Sequence, residues 1–293
     1  MIVTYTVPNK EALADISVRA FLRQNCGFSQ GLWRRLKWNG TLLVNDVPVK
    51  ATIAIASPGD TITCQIPEQS SLAATPMKLD IRYEDEYMLV VNKPPGILVH
   101  PTGGDHTNTL GNGILHYYKI TGQNLDFHPV HRLDRNTTGL VLIAKLPQLQ
   151  NVLTQQSKGK FFHRSYLAVI PGELQESSGT IKLPIARHPD SIIQRICADD
   201  GQPAITHYRT LSRNNGKSLL CLQLATGRTH QIRVHLSSLG HPILGDDLYG
   251  GDTALISRQA LHAFHLEADN PLNGEHISIY SVLPQDIVRA FYR

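Results

Sequence analysis

The spacing of apolar residues gives residues 1–69 the pattern of a small unit with helices and strands. Apolar side chains recur first at the intervals of amphipathic helices and then alternate as in short strands. Serine and glycine mark the helix ends, because a serine hydroxyl caps a helix start and glycine commonly ends one. The pattern predicts a helix from Ser17 to Asn25 capped by Ser17 or Asp15, a helix between Ser29 and Gly40, and strands at Thr41–Val44 and Thr61–Gln65.

From residue 78 onward, strand-like runs outnumber helical patterns. Strands are predicted at Leu79–Tyr83, Met88–Asn92, Gly139–Ala144, Ser165–Ile170, Ala204–Leu211, Leu219–Ala225 and His276–Val282, and helices at Pro147–Gln156, Thr229–Leu239 and Pro284–Phe291. The strands lack regular crossover helices, which predicts an α+β fold with a largely antiparallel mixed sheet. We expect residues 1–69 and 78–293 to be two domains, joined by a linker at 70–77.

The composition is that of a soluble globular protein. Of the 293 residues, 41% are hydrophobic and 18% are charged. No run approaches the roughly 18–20 apolar residues of a membrane span, and the first residues lack a secretory signal pattern. The four cysteines are far apart, which indicates reduced thiols in a cytoplasmic protein rather than disulfides or a zinc site.

Basic residues are concentrated in the two helices predicted near the amino terminus. Residues 16–45 contain five cations and no acidic residue, although the net charge of the chain is only +4. A solvated helix surface would explain such charges, but the absence of acids favours a face that contacts RNA phosphates. The candidate RNA-contacting cations are Arg19, Arg23, Arg34, Arg35 and Lys37.

The segment HRLDRNTTGL at residues 131–140 places charged groups ahead of an apolar strand. Its only carboxylate, Asp134, lies among Arg132, Arg135 and His131, and neighbouring cations favour the ionised form. An ionised carboxylate on a loop at a strand end suits a nucleophile or a base. A structural turn with an Asp–Arg ion pair is the alternative, and these residues alone leave both open.

A second polar segment, TGRTHQIRVH at residues 226–235, leads from a strand into a helix. Gly227 breaks the strand, and Thr229 is the predicted helix cap. Arg228 is unusual at a helix start, because the helix dipole there favours anions. A phosphate or carboxylate neighbour would account for its charge.

Fourteen histidines raise the question of a metal site. His230 and His235 would be about 140° apart on a helix, and the HExxH spacing that places two histidines on one face is absent. His262 and His265 lie in a strand-like run and would point to opposite faces. We therefore predict no metal.

Two further segments are weaker signals by themselves. The loop NKPPGILVHP at residues 92–101 follows a strand, and Lys93 is expected to face solvent. The segment RSYLAV at residues 164–169 places Tyr166 in a strand, where a core tyrosine with a hydrogen-bonded hydroxyl is the usual arrangement.

Together and in this order, these segments resemble the RluA-type family of pseudouridine synthases. HRLDRNTTGL is similar to the family signature HRLDxxTSGL, and TGRTHQIRVH to GRxHQIRxH. NKPPGILVHP, SYLAV and GHPILGDDLYG at residues 240–250 match further family segments. Thr138 replaces the usual serine, and Arg164 stands where lysine is common. The resemblance spans about residues 79–266 and implies a catalytic domain of the pseudouridine synthase type.

The resemblance also implies roles for individual residues. Asp134 is the catalytic aspartate, Arg233 pairs with it, and Tyr166 stacks near the base and transfers the proton on carbon 5. Arg132 fills the space left by a flipped uridine. We also assign Arg228 and His230 of the second signature to RNA binding.

Residues 14–66 resemble the RNA-binding module of ribosomal protein S-four, because two helices precede VND and a PGDTI turn. Such modules occur in several branches of the family, and the whole chain resembles the RluC/RluD-like branch. The expected substrate is structured RNA, with large-subunit ribosomal RNA ahead of transfer RNA. We expect a monomer that needs no cofactor, in agreement with the lack of a GxGxxG motif or P-loop.

Two other functions fit parts of the sequence. One is a catalytically silent RNA-binding or ribosome-assembly factor, against which the presence of Asp134, Tyr166 and Arg233 argues. The other is a hydrolase that uses Asp134 and His131, although no GxSxG elbow or Cys–His signature accompanies them.

Overall fold

Residues 1–67 form two α-helices beside a four-stranded antiparallel sheet and a two-stranded one. The computed structural model describes residues 1–67, 72–101, 107–156 and 162–293. Hydroxyls of Ser17 and Ser29 accept hydrogen bonds from backbone amides three residues ahead, so both predicted serine caps are confirmed. The elements are β1 (Ile2–Thr6), β2 (Ile16–Ser17), α1 (Val18–Asn25), α2 (Gln30–Asn39), β3 (Thr41–Val44), β4 (Val47–Pro48), β5 (Ile55–Ala56) and β6 (Thr61–Gln65).

The helices of this region bury their apolar faces in a hydrophobic cluster of their own. Phe21 and Leu22 of α1 and Trp33 and Leu36 of α2 are buried together with Ile62 of β6. Burial of one such side chain contributes about 1.5–3 kcal/mol. The charged residues of α1 and α2 are therefore left on the opposite, outer faces.

The rest of the chain is dominated by strands. Its elements are β7 (Ile81–Glu84), β8 (Met88–Lys93), α3 (Leu110–Ile120), β9 (His128–Pro129), β10 (Thr138–Ala144), α4 (Pro147–Gln156), β11 (Phe162–Pro171), β12 (Ser178–Ile181), β13 (Ile185–Arg187), β14 (Arg195–Cys197), β15 (Thr206–Asn214), β16 (Lys217–Leu224), α5 (Gln231–Ser238), β17 (Leu261–Asp269), β18 (His276–Tyr280) and α6 (Gln285–Tyr292). Short 3-10 helices lie at Glu11–Leu13 and Asp247–Tyr249.

One ten-stranded sheet organises this larger part. Its main path runs β12-β15-β16-β11-β17-β10-β8-β7, with β18 paired to β17 and β9 paired to β10. Neighbouring strands are antiparallel except for β10 and β17, which are parallel. Helices pack on this sheet without alternating with its strands. The predicted α+β class with a largely antiparallel sheet is confirmed.

The start of β10 approaches β17 so closely that glycine is needed there. Gly139 has a φ of 116°, and a Cβ on it would lie 2.2 Å from the carbonyl oxygen of Ala263. Every residue of β10 is buried. The strand is thus fixed in the middle of the sheet, and it holds the loop that precedes it, residues 131–137, in place.

The connection between the two regions is described only in part. Residues 68–71, which include Ser70 and Ser71 of the predicted linker, lie outside the described residues. The following segment is held against α3, because the Asn112 side chain donates to the carbonyl of Ala73 at 2.7 Å. The amino-terminal region also contacts α4, where the side chain of Asn151 donates to the carbonyl of Gly27 at 2.9 Å.

Candidate active site

Asp134 lies in the loop before β10 and lines a cleft of about 500 Å³. The loop turns tightly, because the amide of Thr137 donates to the carbonyl of Asp134 at 3.1 Å. Leu133 is buried and anchors the loop, whereas the side chain of Asp134 is 20% exposed. The carboxylate can therefore meet a substrate. The cleft is lined mainly by residues 130–134, the start of β11 and residues 224–233.

Arg233 of α5 connects the two signature segments. Its Nη1 donates to Oδ2 of Asp134 at 3.1 Å, and its Nε and Nη2 donate to both carboxylate oxygens of Asp246 at 2.7 Å. Burial opposes the charge of this guanidinium, but hydrogen bonds and charge attraction from Asp246 and Asp134 hold the pKa of Arg233 above its ordinary value. Arg233 is thus a fixed cation between two carboxylates.

Asp246 is a site residue that the sequence patterns did not reveal. Its side chain is fully buried, and it follows Gly245, where a Cβ would lie 2.0 Å from the carbonyl oxygen of Arg258. The only sequence signal is the pair of aspartates in GHPILGDDLYG. Spacing alone does not tell which of Asp246 and Asp247 is buried.

Tyr166 of β11 lines the same cleft as Asp134. It pairs with Leu222 of β16 on one side and Ala263 of β17 on the other, and it is 4% exposed. Burial raises the pKa of its hydroxyl, although Arg164, which is hydrogen-bonded to it, acts in the opposite direction. The neutral phenol is therefore the stable form.

Lys93 does not face solvent, so the expectation from the sequence was wrong. The side chain is 1% exposed, and its ammonium donates to the carbonyls of Pro94, Ile97 and Arg135 at 2.9–3.0 Å. Burial lowers the pKa of Lys93 to about 7, while the nearby Asp134 opposes this shift. The lysine ties its own loop to the loop of Asp134. Its burial was missed because one of its partners lies 42 positions away in the chain.

Helix α5 begins later than predicted, and Thr229 is not its cap. The cap position is occupied by His230, whose φ is 58° and whose side chain makes no cap hydrogen bond. The side chain of Gln231 instead accepts hydrogen bonds from the loop before the helix. Its Oε1 accepts from the amide of Arg228 at 3.0 Å and from the hydroxyl of Thr226 at 2.8 Å. This tertiary contact replaces the local serine or threonine cap.

His230 and Arg228 both line the cleft. Nε2 of His230 lies 3.8 Å from Oδ1 of Asp134, and Nδ1 lies 2.8 Å from the hydroxyl of Tyr249. Burial lowers the pKa of His230 despite the charge of Asp134. Arg228 is exposed, and its Nε donates to the carbonyl of Pro203 at 3.1 Å. Its charge is thus available to an anion in the cleft.

The other cations singled out from the sequence lie at different places. Arg132 is exposed and lines the cleft. Arg19, Arg23 and Arg34 are exposed, Arg35 donates to the carbonyl of Pro67 at 2.9 Å, and Lys37 stands 4.5 Å from the ring centre of Trp38. None of these five is among the described residues that line the cleft. RNA contacts made by them would extend the interface beyond it.

Histidine, cysteine and acidic side chains do not gather at a metal site in the described ranges, where no group of three could hold an ion. His235, for example, is buried between the hydroxyl of Thr206 and the carbonyl of Leu183, each at 2.9 Å.

Of the helices that the structure describes, none has the length and apolar character to cross a membrane.

Comparisons with known proteins match this arrangement to one family. Residues 87–238 match the model of the RNA pseudouridylate synthases. The chain is 42% identical to "Uncharacterized RNA pseudouridine synthase YjbO" of Bacillus subtilis (strain 168), over 89% of this chain and 93% of that protein. It is 38% identical to "Ribosomal large subunit pseudouridine synthase D" of Escherichia coli O6:H1, over 78% and 74% of the two chains.

A solved structure agrees with these matches. Human RNA Pseudouridylate Synthase Domain Containing 1 superposes with a TM-score of 0.58 and 26% identity, over 74% of this chain and 86% of that one. The range matched by the family model includes Asp134, Tyr166 and Arg233. The chain therefore belongs to the RNA pseudouridylate synthase family and is an RNA pseudouridine synthase.

Proposed function

We propose that this enzyme isomerises specific uridines of large-subunit ribosomal RNA, with Asp134 as its catalytic carboxylate. The observation that carries the proposal is the 3.1 Å contact by which Arg233 holds Asp134 in a cleft that Tyr166 also lines. Support for the substrate comes from relatives such as the Escherichia coli protein, which is named for the large ribosomal subunit.

The reaction rearranges one nucleoside without a net change of atoms. The bond from N1 of uracil to C1′ of the ribose breaks, the base rotates, and C5 bonds to C1′. C5 then loses its proton and N1 gains one. This balance consumes no oxidant and no nucleotide. Asp134 acts by attack on the sugar, by attack on the base or by removal of a sugar proton, and each route uses the ionised carboxylate.

Tyr166 stacks on the uracil and transfers the C5 proton through its hydroxyl. Because the pKa of Tyr166 is raised, the phenol acts as a hydrogen-bonded relay and not as a standing phenolate. Arg132 enters the space that the flipped uridine leaves. Base flipping costs a few kcal/mol, which contacts of this kind offset.

Residues 1–69 serve as an S-four-like RNA-binding domain, joined through residues 70–77 to the catalytic domain at 78–293. The exposed Arg19, Arg23 and Arg34 contact phosphates outside the cleft. Arg35 and Lys37 support that face, whereas Arg228 and His230 contact the RNA at the cleft. The enzyme works as a monomer in the cytoplasm.

Incubation of the enzyme with unmodified total RNA, followed by mapping of pseudouridine, tests the substrate. New pseudouridines are expected in large-subunit ribosomal RNA. Pseudouridine confined to transfer RNA would contradict the ribosomal assignment. A catalytically silent binding factor is not favoured, and it would leave bound RNA unmodified.

A further inference from the structure

Two adjacent isoleucines protrude from the catalytic region into solvent. Ile192 is 92% exposed, the highest value for a large hydrophobic side chain among the described residues, and Ile193 is 58% exposed. Both lie in the tip, residues 188–194, of the hairpin formed by β13 and β14. A single exposed apolar side chain is ordinary, but two neighbours at a hairpin tip indicate a contact surface.

Hydrogen bonds within the tip hold it in a defined conformation. The hydroxyl of Ser191 accepts from the amides of Ile193 and Gln194 at 3.3 and 3.0 Å. The amide of Asp190 donates to Nδ1 of His188 at 3.1 Å. An ordered loop loses less conformational entropy when it binds. Contact of the two isoleucines with a partner would therefore carry a small entropic cost.

The base of the hairpin favours an anionic partner. Arg187 and Arg195 face each other across the two strands, and like charges in directly opposite positions are destabilising. Within the described part of the chain, neither arginine forms an ion pair. Arg195 donates to the carbonyl of Ile193 at 3.0 Å, which links this cation to the tip. A phosphate between the arginines would relieve their repulsion.

The hairpin is connected to the active site by a short chain of contacts. The amide of Arg195 donates to the hydroxyl of Tyr249 at 3.0 Å, and that hydroxyl lies 2.8 Å from Nδ1 of His230. The other nitrogen of this ring lies 3.8 Å from Asp134. The base of the hairpin therefore lies next to the cleft that, under the proposed function, receives the target uridine.

We propose that the hairpin tip is a wedge that unstacks the RNA next to the target uridine. Ile192 and Ile193 insert between neighbouring bases, while Arg187 and Arg195 hold a phosphate of the same RNA. Apolar side chains that enter base steps unstack nucleic acids in this way, at a cost of a few kcal/mol per step. The inference rests on the proposed function, in which the substrate is structured RNA whose uridine must leave its stack.

The test compares the double variant Ile192→Ser/Ile193→Ser with wild type on two RNAs. One is a folded transcript of large-subunit ribosomal RNA, and the other is a short unpaired oligonucleotide with the same mapped uridine. We expect kcat/KM to fall about tenfold on the folded RNA and to stay within about twofold on the unpaired one, where little unstacking is needed. Ile192→Leu/Ile193→Leu should retain activity on both.

Ile120→Ser provides the control, because Ile120 is also a largely exposed isoleucine, at the end of α3. An equal loss on both RNAs, no loss on either, or the same loss in Ile120→Ser would contradict the wedge. If the wild-type protein modified neither RNA, the proposed ribosomal substrate would fail, and the inference with it. If the wild type modifies both RNAs and Ile192→Ser/Ile193→Ser changes kcat/KM equally on both, the wedge is overturned while the proposed function stands.

Discussion

At the scale of single residues, the Arg233 guanidinium binds two carboxylates, the buried one of Asp246 and that of Asp134 in the cleft. Two of its nitrogens bind Asp246, which fixes the plane of the group and leaves Nη1 directed at Asp134. Removal of one partner from a buried ion pair leaves an uncompensated charge. The position of the Asp134 carboxylate therefore depends on Asp246, a residue outside both signature segments.

Asp246→Asn should lower the rate constant for isomerisation of bound RNA by about one to two orders of magnitude, because charge-assisted hydrogen bonds contribute roughly 1.5–3 kcal/mol. RNA affinity should stay near that of wild type, since Asp246 is buried. Asp247→Asn is the matched control, because Asp247 is exposed. Single-turnover rates with saturating enzyme measure the effect. Equal rates for the two variants would show that Asp246 does not position Arg233 for catalysis.

The lowered pKa of Lys93 predicts that the stability of the folded protein depends on pH. Its pKa is about 7 in the folded protein and 10.5 in a free lysine, so between these values the unfolded chain binds more protons and stability rises with pH. Relative to Lys93→Met, the wild type should gain up to about 1.4 kcal/mol of unfolding free energy per pH unit from pH 7 to 9.

Urea denaturation followed by circular dichroism measures this gain. Fluorescence would report on the wrong region, because both tryptophans, Trp33 and Trp38, lie in residues 1–67. Lys78→Met, at an exposed lysine, is the control. A stability difference between wild type and Lys93→Met that stays constant from pH 7 to 9 would argue against the lowered pKa.

At the scale of elements, the contact between β10 and β17 fixes the loop that contains Asp134, residues 131–137. Gly139→Ala should cost at least about 3 kcal/mol of stability, because its Cβ would collide with the backbone of β17. Gly122→Ala is a matched control with a φ of 70° and open space around it, and it should cost only about 1–2 kcal/mol. Thermal unfolding of both variants measures the two losses of stability. Equal losses would mean that the close approach of the strands is not needed.

Elements with local signals could be predicted from the sequence. The strands Thr41–Val44 and Thr61–Gln65 and the helix Pro147–Gln156 have the predicted bounds. Helix α3 was missed, because Gly111 and Gly113 lower its helix propensity. Tertiary packing explains why glycine stands at both positions. A Cβ on Gly113 would lie 2.9 Å from the sulfur of Met77, and one on Gly111 would collide with the ring of Phe127.

The candidate site, like the fold, could be predicted from the sequence only in part. The signature segments identified the residues that the structure brings into one cleft, namely Asp134, Tyr166 and Arg233. Lys93 and Asp246 could not be identified, because burial of their charges depends on partners supplied by distant segments. Sequence spacing does not record such contacts.

At the scale of the whole molecule, the basic face of α1 and α2 lies outside the cleft that Asp134 lines. Each phosphate contact contributes about 0.7–0.9 to the slope of log affinity against log salt. Replacement of Arg19, Arg23 and Arg34 by glutamine should lower the slope by about two to three and slow the isomerisation of bound RNA little. Titrations at several salt concentrations test this. An unchanged slope would show that these arginines form an ordinary solvated surface.

The central claim is that Asp134 carries out the isomerisation, and its most direct test is pseudouridine formation by Asp134→Asn. Asparagine keeps the size of the side chain but cannot serve as an ionised carboxylate. After incubation with unmodified large-subunit ribosomal RNA, the variant should form no detectable pseudouridine while it binds the RNA as wild type does. Pseudouridine formation near the wild-type rate would contradict the account.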